Sequence, residues 1–226
     1  MIEWEKVLKA AAQLQEIVPG AVLVGGTAAA VHARHRISLD ADHVLADLVG
    51  RFESLVEFLE GKAEWKTRRL QPPVMVLGHF HGVETGIRQL RRSQPLETTR
   101  VQIEDRSVVV PTPEEMLRVK GWLALTRNAL RDYIDLAAIS RFLGKERSAQ
   151  ALARFDTCYR DIYRDKEVSP LLQLARQLAE PLPYDLEDIE IKNYKGIVAP
   201  WDTWENIKKQ CGKLSYWITN VIAKDQ

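Results

Sequence analysis

The chain has 226 residues, 46% hydrophobic and 28% charged, with a formal net charge of +1. That balance excludes the disordered regime and any global attraction to nucleic acid, and it predicts a packed core in one large or two small domains. Cys158 and Cys211 lie far apart in no metal or redox spacing and read as reduced core thiols. The acidic start Met-Ile-Glu-Trp-Glu-Lys lacks the basic patch and apolar run of a secretory leader. No stretch approaches the roughly 18–20 consecutive apolar residues of a membrane span. The cytoplasm is therefore the expected compartment, with no membrane partner.

In chain order, Trp4, Val7, Leu8, Ala11, Leu14 and Ile17 recur at helical spacing, so Glu3–Ile17 is predicted as an amphipathic helix ended by Pro19-Gly20. Ala21–Val24 is a short apolar strand, Gly25-Gly26-Thr27 a glycine turn, and Ala28–His35 a helix. Ser38–Val44 alternates, with Leu39, Ala41 and His43 on one face and Asp40 and Asp42 on the other. Helical spacing follows over Asp47–Gly61. Short strands are predicted at Trp65–Leu70, Val74–Phe80, Val83–Leu90, Arg100–Ile103 and Val108–Val110.

From Thr112 the pattern turns helical. Thr112 caps, Pro113 takes the first position, and Glu114 and Glu115 favour the first turn. Helices are predicted over Glu114–Thr126, Ala129–Leu143, Ser148–Arg164, Pro170–Ala179 and Trp201–Ala223. The expectation is an α+β fold: an α/β domain over 1–111 and a helical domain over 112–226.

Asp40 and Asp42 stand at i and i+2 of a strand, the spacing that brings two carboxylates to one divalent cation. Hard oxygen ligands suit magnesium, which neutralises phosphate charge during phosphoryl chemistry. By itself Asp-x-Asp is also a common solvated strand face. The glycine pair ahead of a helix lets backbone N–H groups approach a phosphate at a positive helix end, with the Thr27 hydroxyl as a further donor.

Together, Gly25-Gly26-Thr27-Ala28-Ala29-Ala30 and His35-Arg36-Ile37-Ser38-Leu39-Asp40-Ala41-Asp42 resemble the signature of the AbiEii-type nucleotidyltransferases. These are toxins of type IV toxin–antitoxin and abortive-infection systems within the polymerase-β superfamily. Lys120 followed by Arg131-Asp132-Tyr133-Ile134-Asp135-Leu136 is similar to a second element of that family, so the two matches cover roughly Ala21–Leu143. The resemblance implies a mixed polymerase-β-like sheet and a helical domain that contributes Lys120 and Asp132 to the cleft. It implies Gly25, Gly26, Thr27, Arg36, Ser38 and Lys120 for the nucleotide, and Asp40 and Asp42 for Mg2+. Asp132 is the implied active-site acid. It further implies an NTP substrate, an RNA acceptor such as tRNA, and a cognate antitoxin.

A third carboxylate is usual in that superfamily, and the strand Val83–Leu90 offers only Glu84, which shares a face with Gly86 and Arg88. Two other readings stay open: transfer to a small molecule or a protein hydroxyl, and a catalytically degenerate binding module. Outside the motifs, Lys66, Arg68, Arg69, Arg88, Arg91 and Arg92 suggest a local basic surface. Without the resemblance, Asp132 and Asp135 read as exposed helix charges. His43 reads as a satisfied, partly buried histidine, and the aromatic tail around Trp201, Trp204 and Trp217 as core packing.

Overall fold

The computed structural model describes residues 3–165 and 167–223. It is an α+β protein with two compact units. The first comprises Ala28 and the residues before it, Ser38–Arg91 and Pro95–Thr112; the second comprises Ala29–Ile37, Arg92–Gln94 and the chain from Pro113 onward. The short excursions at Ala29–Ile37 and Arg92–Gln94 have no counterpart in the contiguous division read from the sequence.

In the first unit, helix α1 (Glu3–Ile17) buries Val7, Leu8, Ala11 and Leu14, the stripe its period anticipates. Strand β1 (Val22–Leu23) leads to helix α2 (Gly25–Ala33), which begins at the glycine pair instead of after it. Strand β2 (Ala41–Leu45) is shorter than predicted, so Asp40 precedes the strand and only Asp42 lies within it. A 3₁₀ turn at Leu48–Arg51 runs into α3 (Phe52–Glu60). Strands β3 (Trp65–Gln71), β4 (Met75–Phe80) and β5 (Val83–Gln89) complete a five-stranded sheet in the order β1-β2-β5-β4-β3. Only the β2–β5 pair is parallel, so the sheet is mixed.

Registered neighbours point to the same side of a sheet. His43, Ile87 and Val76 therefore line one face, and all three are fully buried. Asp42, Gly86, Leu77 and Arg69 line the other, together with Glu84, His79 and Lys66. Burial on one side only is what the alternation in these strands encodes. Strands β6 (Thr98–Ile103) and β7 (Arg106–Pro111) form a separate antiparallel hairpin. The Gln15 side chain bonds both backbone groups of Val109, donating to its carbonyl at 2.8 Å and accepting from its N–H at 2.7 Å.

In the second unit, α4 (Pro113–Arg127) opens on proline with Glu114 and Glu115 in its first turn. Helix α5 (Leu130–Ala153) is interrupted at Gly144, whose φ of 75° breaks the helical path near the predicted gap between two helices. Its first N–H, on Leu130, donates to Asp185 Oδ1 at 2.7 Å, a cap supplied from far along the chain. Helices α6 (Phe155–Tyr159), α7 (Pro170–Ala179) and α8 (Trp204–Ile222) follow. Leu130, Ile134, Leu174, Leu178, Ile207, Leu214 and Ile218 are fully buried and make the core of this unit. Trp201 is buried and Trp204 meets Tyr133 edge-on at 6.2 Å, while Tyr216 is 64% exposed. Both cysteines are free and buried, and burial pushes the Cys211 thiol up to about 12.

Candidate active site

In the first unit the glycine turn and Asp42 meet. Gly25 has φ +74°, a left-handed conformation that favours glycine, and a Cβ built on it would stand 3.4 Å from Asp42 Oδ2. A Cβ on Gly86 would stand 2.5 Å from Asp42 Oδ1. The Asp42 carboxylate thus lies between two backbones that approach closely because neither carries a side chain. One oxygen faces the first turn of α2 and the other faces β5.

Thr27 is fully buried and its hydroxyl donates to the Asp40 carbonyl at 2.6 Å, with the Ser38 carbonyl at 3.4 Å. Its contribution is to the backbone that presents Asp40. Asp40 itself is exposed and Ser38 half-buried. Val24 N–H donates to the Asp42 carbonyl at 2.7 Å, which fixes the glycine turn against β2 from the other side.

On the same face, Glu84 is exposed and pairs with Arg68 at 3.2 Å. It shares the face of Asp42, and Gly86 stands directly beside Asp42. Among the described residues there is no group of three or more His, Cys, Asp or Glu arranged to hold a metal. A cation on Asp40 and Asp42 would complete its coordination with water and phosphate oxygens, the habit of Mg2+, so the hard-oxygen donors present fit that ion. Arg88 Nε lies 4.0 Å from Asp42 Oδ1, with side chains 42% and 38% exposed.

Behind the sheet, His43 is fully buried and not partly so. Its Nδ1 meets the Ala41 carbonyl at 2.9 Å, which requires the hydrogen on Nδ1. Burial lowers its pKa to about 4 and keeps the ring neutral.

The second unit holds the other implied residues in a buried ionic cluster. Asp135 accepts from Arg36 Nε at 2.7 Å and Arg36 Nη2 at 2.9 Å, a two-pronged pairing. It also takes His35 Nε2 at 2.7 Å and Lys120 Nζ at 2.7 Å. Lys120 donates to Asp132 Oδ1 at 3.0 Å, while Asp132 Oδ2 is buried with no partner among the described residues. The Lys120 side chain is only 3% exposed.

Burial alone would push the Asp135 carboxyl up, but Arg36, Lys120 and the His35 hydrogen bond outweigh it and hold it well below the ordinary range. Burial likewise opposes the Lys120 charge, and Asp135 and Asp132 outweigh it and raise the ammonium pKa. Two cations and two carboxylates balance in the interior. The segment His35–Ile37 is also strapped by its backbone: Ile37 N–H donates to the Lys195 carbonyl at 2.7 Å, and Val198 N–H to the His35 carbonyl at 3.0 Å.

Several expectations change. Asp132 and Asp135 are buried instead of exposed, because Lys120 neutralises the one and Arg36 and Lys120 the other. Arg92 does not join a basic surface. It is buried, paired with Glu115 at 2.7 Å and set over the Tyr159 ring at 5.1 Å. Lys66, Arg68, Arg69 and Arg91 are exposed as expected. Asp135, the hub of the cluster, stood within the second matched element but was given no role in the site, and its partners Arg36 and His35 lie 99 and 100 residues away.

No family model matches the chain. Among curated proteins it is 35% identical over 126 residues to the mycolic acid-containing lipids exporter MmpL11 of Mycolicibacterium smegmatis, covering 54% of this chain and 12% of that protein. It is 35% identical over 123 residues to the heme uptake protein MmpL11 of Mycobacterium tuberculosis, with the same shares. The match thus spans about an eighth of those relatives. No helix among the described residues is long and apolar enough to cross a membrane.

Among solved structures, a proposed nucleotidyltransferase from H. pylori aligns over 99% of this chain and 96% of its own, at 14% identity and a TM-score of 0.49. An antigenic nucleotidyltransferase-like protein from Paracoccidioides brasiliensis aligns over 71% and 90%, at 17% identity and a TM-score of 0.47. The antibiotic-resistance factor ANT(2'')-Ia aligns over 68% and 91%, at 13% identity and a TM-score of 0.49. These likenesses add no functional weight at such scores; the residues of the site do.

Proposed function

We propose that this chain is a Mg2+-dependent nucleotidyltransferase. The observation that carries the proposal is the Asp42 carboxylate held between the backbones of Gly25 and Gly86, with Thr27 tying down the carbonyl of Asp40. A glycine turn suited to phosphate and a carboxylate suited to a divalent cation, that of Asp42, adjoin each other.

In the reaction an acceptor hydroxyl attacks the α-phosphorus of an NTP. The new P–O bond forms as the α–β phosphoanhydride breaks, pyrophosphate leaves, and the hydroxyl proton passes to a base. Mg2+, when bound, supplies Lewis-acid stabilisation of phosphate charge. Asp40 and Asp42 would hold it, and Gly25 and Gly26 would offer backbone N–H groups to the phosphates. Glu84, on the same face, is the candidate base. Arg36 and Lys120 hold the scaffold of the second unit through Asp135, and Asp132 holds Lys120.

The resemblance to the AbiEii-type toxins extends the proposal to an RNA acceptor, tRNA, and to restraint by a cognate antitoxin. The exposed Lys66, Arg68 and Arg69 favour a polyanionic acceptor over a small molecule or protein hydroxyl. Incubation of the protein with each radiolabelled NTP, Mg2+ and total tRNA is expected to label RNA, and the Asp40→Ala/Asp42→Ala double variant to leave it unlabelled. Labelling that persists in the double variant removes the metal site. Nucleotide binding without turnover on any acceptor pool leaves a binding module in its place.

A further inference from the structure

The cations that the resemblance implies for the nucleotide are not on the surface. Arg36 and Lys120 have side chains 8% and 3% exposed, and both are held by Asp135. A triphosphate on the Asp40–Asp42 segment calls for a cation beside Asp42. Lys66, Arg69 and Arg88 share the face of Asp42, and Arg88 is on the strand that pairs with it.

Arg88 lies two residues beyond Gly86 on β5, on the face that carries Asp42. Gly86 leaves the space beside Asp42 free of any side chain of its own, so Glu84 and Arg88 flank the carboxylate along the strand. The guanidinium reaches back until Nε is 4.0 Å from Asp42 Oδ1, at the outer limit of an ion pair. Its other contact, Nη1 to Met75 Sδ at 2.7 Å, is with a neutral thioether and leaves the charge unneutralised. Compare Arg36, whose fork is filled by both oxygens of Asp135.

Building on the nucleotidyltransferase reading, we infer that Arg88 is the phosphate-binding cation of the Asp42 site, contacting the pyrophosphate portion of the incoming NTP. A divalent cation held by Asp42 would replace the long pairing to Arg88. The planar fork is then available for two non-bridging phosphate oxygens, a geometry that lysine does not reproduce. Arg88 thereby takes the phosphate-binding role that the resemblance implies for Lys120.

The test is calorimetric titration of the full chain in Mg2+ with ATP, CTP, GTP, UTP, the matching monophosphates and inorganic pyrophosphate. Arg88→Ala is expected to weaken the preferred NTP and pyrophosphate by about tenfold or more, the loss typical of a charge-assisted hydrogen bond. Monophosphate affinity is expected to stay unchanged, Arg88→Lys to fall between, and Arg100→Ala on β6 to match wild type. Arg88→Gln, which keeps the length of a polar side chain, provides a second neutral variant, with thermal unfolding as the check on folding. NTP binding that is unchanged in the neutral variants overturns the role of Arg88 and leaves the nucleotide reading standing. Equal losses for NTP and monophosphate also overturn it, since a merely structural change weakens both. A wild-type chain that binds no NTP removes the nucleotide reading itself, and the role of Arg88 with it.

Discussion

Asp42 and Asp135 are both aspartates beside an arginine, yet their surroundings assign them opposite work. Asp42 stands on the open face of the mixed sheet, its side chain 38% exposed and its arginine 4.0 Å away. Asp135 is fully buried and takes charged or imidazole donors from Arg36, Lys120 and His35, each at 2.7 Å. A carboxylate with unfilled acceptor capacity facing solvent is suited to a ligand, whereas one saturated in the interior is suited to holding a scaffold. On the proposed reading, the contrast assigns Asp42 to the site and Asp135 to its support.

The contrast is tested most severely by Asp135→Ala. Removing one partner of a buried charge cluster strands Arg36 and Lys120, at a cost of about 3–5 kcal/mol in urea unfolding. Asp42→Ala is expected to change stability by under ~1 kcal/mol. Equal costs at the two positions would erase the distinction.

Next in size is the pH response of the sheet's covered side. The His43 pKa is about 4 in the folded chain and about 6.5 when unfolded. The unfolded state therefore binds more protons between these values, and stability falls as pH drops from about 6.5 toward 4, by about 3 kcal/mol in all. His43→Leu is expected to flatten that part of the stability–pH curve. Lys120 acts in the opposite direction: its raised pKa means that its contribution is complete below about 10.5 and is lost at still more alkaline pH.

Gly86→Ala sharpens the comparison on the side of Asp42. The new Cβ displaces the end of a flexible side chain, so unfolding shifts by only about 1 kcal/mol. Mn2+ affinity, followed by its electron paramagnetic resonance signal, is expected to fall about tenfold because the carboxylate is driven from its place. Unchanged Mn2+ affinity would count against Asp42 as a ligand. The smallest effect belongs to Arg68→Ala, which removes an exposed pair with Glu84 and is expected to cost under ~0.5 kcal/mol.

Where local pattern determines structure, the sequence was informative. Helices α1 and α7 have the predicted bounds, since an apolar stripe and a proline at a helix start are local signals. Helix α2 was placed too late because Gly25 and Gly26 have poor helix propensity, yet Gly25's positive φ supplies the bend into its first turn. The alternation of Glu84, Gly86 and Arg88 was legible, but their position beside Asp42 depends on a parallel strand pairing across intervening chain. The burial of Asp132 and Asp135 was not legible by spacing. Asp135 is neutralised by Arg36, 99 residues away, and no local window contains both. Arg92 is a similar case, since its partner Glu115 lies beyond the β6–β7 hairpin.

The clamp of Gln15 on Val109 bears on how this chain behaves in crowded solution. A two-stranded ribbon leaves unpaired amide and carbonyl groups along its outer edges, and such edges invite strands from neighbouring molecules. Gln15 answers one outward pair on β7 with a side-chain amide that imitates a strand but ends after a single residue. A strand arriving at that edge would have to displace Gln15 before it could pair with Val109.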